Sequence, residues 1–306
     1  MSARPDLLPG APSPLEIGPR TFRWGERTYV MGIVNVTPDS FSGDGLLVRG
    51  SGESGVARAV AQATAMVAEG AEILDVGGES TRPGHADVDT ADELARVVPV
   101  VAAIRDALPD VPISVDTTKP SVAEAALIAG ADAINDVWGV AADAAMLRVA
   151  VTHEAPIVLM HNRAEARYTN LIAEILADLE MAIERAVRAG VARERIIVDP
   201  GIGFGKTAVH NLAVLRHLEV FRRLGRPVLL GASRKSTLGK VLDLPADQLL
   251  EATLATTAIA IAAGVDLVRV HDVQANVRVA RMSDAIIRDT WRPPPDPTDP
   301  PEGGSR

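Results

Sequence analysis

Eight times along this chain an apolar, β-branched-rich run stops on residues that carry chemistry, and the runs are spaced to leave room for helices between them. The runs span 29–36, 71–78, 111–118, 131–137, 155–162, 195–200, 227–235 and 267–272. Short apolar runs bounded by Gly, Pro or polar residues predict strands buried on both faces, as in parallel sheets covered by helices. Helical patterns lie over 56–69, 90–108, 121–129, 142–151, 171–189, 211–224, 246–263 and 273–289. Gly70, Gly130, Gly190 and Gly264 each follow one of them, where a left-handed residue is wanted. Thr90 and Ser121 predict N-caps, with Glu93 and Glu124 at capping-box spacing. Residues 15–29 predict a small hairpin leading into the first strand. Eight β/α units in roughly 250 residues predict an α/β fold, a closed (β/α)8 barrel, rather than an open doubly wound sheet. The barrel domain is expected over 15–290, with the Pro-, Gly- and Asp-rich segments 1–14 and 291–306 as flexible tails.

With 306 residues, 47% of them hydrophobic, the chain has material for a sizeable core. Its net charge of -9 argues against sequence-independent nucleic-acid binding, which needs a basic stripe. The absence of cysteine excludes disulfides, thiolate metal sites and a cysteine nucleophile. The N-terminus lacks a signal-peptide core and no apolar stretch is long enough to span a bilayer, so a cytoplasmic protein without membrane partners is expected.

In a barrel of this kind the C-terminal strand ends build the active site, and the polar residues fall there. A lone Asp at a strand end is more often a cap or turn former, and Asp75, Asp136 and Asp272 are read that way or as buried orienting groups. The collection argues for more. Asp116, Asn135 and Asp199 supply acceptors on three strands, suited to a flat heterocycle with a guanidine-like edge. Arg269, His271, Arg82 and Asn35, with Thr81 nearby, supply donors and cations suited to phosphate or diphosphate. Asn35 adds a neutral oxygen appropriate for Mg²⁺.

Gly201 to Thr207 imitates a phosphate loop, but Pro200 stands where the motif needs Gly, and the dinucleotide spacing fails at Lys206. Its glycines serve either backbone approach to a ligand or the turn itself. Phe41, Trp138 and Phe204 follow strands; Trp138 is read as packing, Phe41 and Phe204 as covering a flat substrate. His85, His153, His210 and His217 show no ligand spacing and are read as surface or loop residues. Lys235, flanked by Arg234, Ser233 and Ser236, suits binding a carboxylate or ring carbonyl at least as well as Schiff-base chemistry.

Seven motifs then carry a resemblance. Met31 to Ser42 (MGIVNVTPDSFS), Gly77 to Gly84 (GGESTRPG), Ser114 to Thr117 (SVDT), Ile134 to Asp136 (IND), Asp199 to Lys206 (DPGIGFGK), Ser233 to Ser236 (SRKS) and Arg269 to Asp272 (RVHD) strongly resemble dihydropteroate synthases, in the family's order. That family has a TIM-barrel fold, acts in folate biosynthesis, is usually homodimeric and is the target of sulfonamides. The resemblance implies that 6-hydroxymethyl-7,8-dihydropterin diphosphate and p-aminobenzoate are joined to give dihydropteroate and pyrophosphate. It implies that Asp116, Asn135, Asp199 and Lys235 hold the pterin, with Arg269 stacking on its face, and that Asn35, Arg269 and His271 hold pyrophosphate and Mg²⁺. The resemblance also implies that a mobile loop containing Asp39 helps them. The p-aminobenzoate site falls to Phe41, Thr81, Pro83, Phe204, Lys235 and Ser236. Asn35, Asp116, Lys235, Arg269 and His271 make the catalytic set. No general base is implied, because an aryl ammonium loses its proton readily.

Two departures stand out: Gly43-Asp44-Gly45, where many members read Asp-Gly-Gly, and the segment after Met160, which lacks the family's Met, Gly and Pro. His161 is given no functional role. The alternatives are a pterin-dependent methyltransferase module serving a corrinoid partner and a non-catalytic pterin-binding paralogue.

Overall fold

The computed structural model describes residues 10–36, 55–79, 88–141 and 143–292. A hairpin, β1 (Leu15–Ile17) and β2 (Arg20–Phe22), precedes the barrel. The barrel strands are β3 (Tyr29–Asn35), β4 (Ile73–Gly77), β5 (Ile113–Asp116), β6 (Ala133–Asp136), β7 (Ile157–Met160), β8 (Ile196–Asp199), β9 (Leu229–Leu230) and β10 (Leu267–Val270). They pair in parallel in the order β8-β7-β6-β5-β4-β3-β10-β9. One parallel bridge between Val198 and Val228 joins the two ends.

The helices are α1 (Gly55–Ala68), α2 (Thr90–Ala107), α3 (Pro120–Ile128), α4 (Ala144–Thr152), α5 (Leu171–Arg188), α6 (Ala208–Arg216), α7 (Ser236–Leu242), α8 (Leu250–Ala262) and α9 (Val273–Ile287). Gly70, Gly130, Gly190 and Gly264 all take positive φ, as their places after helices require. Both expected capping boxes are corrected. Asp89, not Thr90, caps α2 by accepting from Ala91 N at 2.8 Å, and Glu93 is buried against Lys119 instead of reaching back. Helix α3 begins on Pro120, whose fixed φ starts a helix without a side-chain cap. The expected helix over 211–224 is α6 followed by a 3₁₀ stretch, Leu218–Leu224. The expected strand over 227–235 holds only two sheet residues, and Arg234, at φ 53, lies outside the extended region before α7 starts.

Strand alternation sorts the side chains. Val30, Val34, Leu74, Val76, Ile113, Val115, Ile134, Ile157, Leu159, Ile196, Val198 and Val268 face the helices and form the main core. Tyr29, Met31, Ile73, Ala133, Val158, Ile197, Leu229 and Leu267 fill the barrel interior, together with Leu15, Ile17, Phe22 and Trp24 from the hairpin and the segment after it. Phe22 stacks on Trp24 at 5.7 Å, and both meet Tyr29 edge-on. Asp266 anchors this end by accepting from Gly25 N (3.2 Å) and Val228 N (3.0 Å). The N-terminal mouth is thus filled with apolar side chains, which leaves the polar layer to the C-terminal end.

No described helix is long and apolar enough to cross a membrane.

Candidate active site

The parity that points Tyr29, Met31, Ile73, Ala133, Ile197 and Leu267 inward carries along each strand to Asn35, Asp75, Asn135, Asp199, Arg269 and His271. Ser114 and Asp116 are inward on β5 because Ile113 and Val115 face the helices. Asp136 alternates outward and accepts from Trp138 N at 2.9 Å, the turn-forming role expected of it. His161, two residues beyond the outward Leu159, has its ring against Asp178 of α5 rather than in the polar layer. Phe41, Thr81 and Pro83, with Asp39 and Arg82, lie outside the described residues.

Arg269 and Asp75 organise the polar layer. The Arg269 guanidinium donates from Nε to Asp75 Oδ2 at 2.5 Å and from Nη2 to Asp116 Oδ2 at 2.6 Å. Asn135 Nδ2 donates to the same Asp75 oxygen at 3.0 Å, which leaves the amide oxygen as the group's remaining acceptor. Asp75 is therefore the buried orienting group that its position suggested. The other oxygens of both carboxylates, Asp75 Oδ1 and Asp116 Oδ1, are buried without a hydrogen-bond partner, as is Ser114 Oγ. Unmet buried acceptors are costly, and each is a place where a ligand N–H would be welcome.

The pairing revises one expectation. Asp116 was expected to receive a heterocycle and Arg269 to lie on that ring's face, yet in this structure the two side chains bond to each other. A guanidinium and a guanidine-like ring edge present the same paired N–H groups, so Arg269 occupies one of the two Asp116 oxygens that such an edge would use.

Asp199 accepts from Gly201 N at 2.7 Å through Oδ1. Beside it Gly231 has no side chain; a Cβ there would lie 3.7 Å from Asp199 Oδ2 and 4.0 Å from Arg269 Cδ. The missing side chain keeps open the floor between an acceptor and a donor. Burial pushes Asp116 up to about 7, with Arg269 pulling it back and Asp75 adding to the rise. Burial pushes Asp199 up to about 6, against the Gly201 hydrogen bond and the Lys235 charge. Arg269 is buried too, but the two carboxylates outweigh that cost and hold its pKa above the ordinary value. Burial raises the turn-forming Asp136 to about 6 as well, so it is the convergence of Asp116 and Asp199 with Arg269 in one layer, rather than the shifts, that points to a site.

On the anion side, Ser233 accepts from His271 N at 3.2 Å, and its hydroxyl lies 3.0 Å from His271 Nδ1. Donation to Nδ1 leaves the imidazole proton on Nε2. Arg234 reaches Asp272 through Nε (3.1 Å) and Nη2 (2.8 Å), tying the chain after β9 to the chain after β10. Asp272 thus has the orienting role expected for it. Lys235 Nζ lies 4.1 Å from the Phe204 ring centroid, a cation–π contact, with the exposed Ser236 next along the chain. Phe204 also packs on Val137 and Met160. Trp138, expected as packing, is instead 41% exposed, because the chain leaves the barrel at Asp136 and carries the indole outward.

Asn35 ends β3 with its side chain on the inward face. Among the described residues no group of three His, Asp or Glu side chains is placed to hold a metal. A single neutral amide oxygen fits Mg²⁺ that takes its other ligands from phosphate and water.

Residues 31–271 match the family of pterin binding enzymes. A dihydropteroate synthase from Clostridium beijerinckii is 49% identical over 275 residues, covering 90% of this chain and 100% of its own length. The solved structure of a dihydropteroate synthase from Clostridium difficile, determined in the presence of pteroic acid, superposes with a TM-score of 0.82 at 48% identity, covering 87% of this chain and 99% of that one. This chain belongs to the dihydropteroate synthase family. The dihydropteroate synthase of Xanthomonas albilineans, solved with 4-aminobenzoic acid, superposes with a TM-score of 0.83 at 39% identity, over 90% of this chain and 98% of its own. Family membership makes the chain a transferase of folate biosynthesis with the TIM-barrel fold.

Lys206 was given no role in the sequence reading. It lies in the segment discounted as a phosphate loop, and its ammonium faces inward to the loop itself, 3.0 Å from both Gly201 O and Phe204 O. A lysine closing a glycine-rich turn was the available signal. Of the two readings of those glycines, the turn is the one the structure bears out at Gly201: its φ is +70, and a Cβ would stand 1.9 Å from His161 O.

Proposed function

We propose that this chain condenses 6-hydroxymethyl-7,8-dihydropterin diphosphate with p-aminobenzoate, giving 7,8-dihydropteroate and pyrophosphate. The observation that carries this reading is the buried, partnerless Asp116 Oδ1, on a carboxylate whose other oxygen already holds a guanidinium. The 2-amino-pyrimidinone edge of a pterin offers matching N–H groups. Asp116, Asn135, Asp199 and Lys235 hold the ring. Arg269 leaves Asp116 to lie on the ring's face and, with Asn35 and His271, to meet the diphosphate. Phe204, Lys235 and Ser236 receive p-aminobenzoate, and the resemblance adds Phe41, Thr81 and Pro83.

The reaction breaks the bond between the pterin methylene carbon and the diphosphate oxygen, whose electron pair leaves with pyrophosphate. The amine nitrogen supplies the pair for the new C–N bond and then sheds its proton to solvent. Arg269 and His271 stabilise the charge on the departing diphosphate, the positioned-donor effect that usually dominates such steps. The negative charge of Asp116 favours the electron-poor ring. Mg²⁺, held by Asn35 and the diphosphate oxygens, supplies further charge neutralisation when bound.

Purified protein given Mg²⁺, pterin diphosphate and p-aminobenzoate is expected to release pyrophosphate. Pterin binding without release would identify a non-catalytic paralogue. The methyltransferase alternative is disfavoured by the presence of both the Ser233 to Ser236 cluster and the Asn35 to Ser42 segment.

We also propose a homodimer. Helix α6 packs on α7 and α8, and α8 on α9, and these helices expose Val209, Leu212, Val241, Ile259, Met282 and Ile286. Exposed apolar side chains gathered on one side of a barrel fit a second copy of the same face. Light scattering is expected to give twice the 32.2 kDa chain mass, and Ile259→Asp to shift it toward monomer. A wild-type monomer at micromolar concentration would remove the proposal.

A further inference from the structure

We propose that Lys206 is a positioning residue for the acceptor substrate: it holds the turn carrying Phe204 in one shape and thereby sets the p-aminobenzoate end of the site. The inference rests on the assignment of that end given above.

The turn between β8 and α6 is wrapped around a cation. Lys206 Nζ lies 3.0 Å from Gly201 O, 3.0 Å from Phe204 O, 2.8 Å from His161 Nδ1 and 3.4 Å from His161 O. Every one of these partners is neutral. An ammonium has three protons to give and takes no hydrogen bond, so this ring of acceptors suits it and would leave a shorter or apolar side chain with unmet carbonyls. A turn alone does not need such a group, because Gly201 and Gly203 already adopt the positive φ angles that reverse the chain. Burial pushes the Lys206 pKa down to about 7, while Asp199 and Asp178 oppose that fall and Arg163 and Lys235 add to it. The arrangement is a costly way to make a loop, and it is spent beside the site.

The cage is tied to the strand next door. His161 Nε2 lies 3.1 Å from Asp178 Oδ2, and that oxygen also accepts from Arg163 Nε at 3.0 Å and Nη2 at 2.7 Å. With its Nε2 proton committed to Asp178, His161 turns a lone pair at Nδ1 to Lys206. Burial and the Lys206 charge hold the imidazole down at about 4, so it stays neutral and remains an acceptor near neutral pH. The outward parity that kept His161 out of the polar layer places it here, behind the loop. A chain of contacts thus runs from Asp178 through His161 and Lys206 to the backbone of Phe204, whose ring lies beneath Lys235 Nζ.

The test is steady-state kinetics and calorimetry on Lys206→Met in the full-length protein. The KM for p-aminobenzoate should rise about tenfold while the dissociation constant for pterin diphosphate moves less than about threefold. Lys206→Gln, which is neutral but keeps two donors, should raise that KM less, and it carries the test if the Met variant does not fold. An unchanged p-aminobenzoate KM in a folded variant would overturn the proposal. Equal weakening of both substrates would do so too, since it indicates general loosening. If wild type releases no pyrophosphate, the reaction assignment fails instead, and the two failures are separable.

Discussion

Arg269→Ala should lower turnover by about 10³-fold, the largest loss expected from any single substitution in this site. The side chain has two employments. In the structure it neutralises Asp75 and Asp116, and in the reaction it meets the leaving diphosphate. Removing it deletes a positioned cation from the transition state and leaves two buried carboxylates without their partner. The second consequence reaches the fold: breaking a buried pair from one side costs about 3–5 kcal/mol. Arg269→Lys separates the two effects. It keeps a positive charge near the carboxylates but cannot span both with one planar fork, so stability should recover more than turnover does. Thermal melts and pyrophosphate-release rates on both variants decide the matter. Turnover within about threefold of wild type for Arg269→Ala would end the assignment of Arg269 to the diphosphate.

Asp116→Asn should weaken pterin binding by about 10²-fold or more. Exchanging an ionised acceptor for an amide removes a charge-assisted hydrogen bond of about 1.5–3 kcal/mol. In one of its two orientations the amide also turns an NH₂ toward ring N–H groups, a donor-to-donor contact with its own penalty. Unchanged affinity by calorimetry would dismiss the pterin assignment while leaving the fold in place.

The pH behaviour follows from the same residues. Burial raises Asp116 to about 7 and Asp199 to about 6, so wild-type affinity for the pterin should fall as pH drops through that range and the acceptors take up protons. Stability of the empty protein moves the other way. For a carboxyl whose folded pKa is raised, protonation favours the folded state, so its contribution is full below the ordinary value of 3.8 and is lost as pH rises through 6 to 7. A site tuned to bind thus sits at a pH where the empty fold bears the cost of its charges.

Much of this was visible along the chain. The eight apolar runs named the strands, four glycines marked helix ends, and Asn35, Asp116, Asn135, Asp199 and His271 sat toward the ends of their runs, where strand period and barrel geometry build the polar layer. His161 shows where such reading stops: it too ends a run, and only its place one residue out of step with the inward-facing residues sends it to α5 instead of the polar layer. Capping boxes at Thr90 and Ser121 were plausible locally and lost to Asp89 and Pro120, since neighbouring residues competed for the same turn.

What the sequence determined by itself is therefore the repeat, the fold, the chemistry of the residue set and, through seven ordered motifs, the family. Tertiary structure decided the pairings: Arg269 with Asp75 across 194 residues and with Asp116 across 153, Asn135 with Asp75 across 60, and Lys206 with His161 across 45. Period and composition are local properties that a linear pattern can display. A hydrogen bond between distant side chains depends on strand register, which exists only once the strands have paired into the barrel.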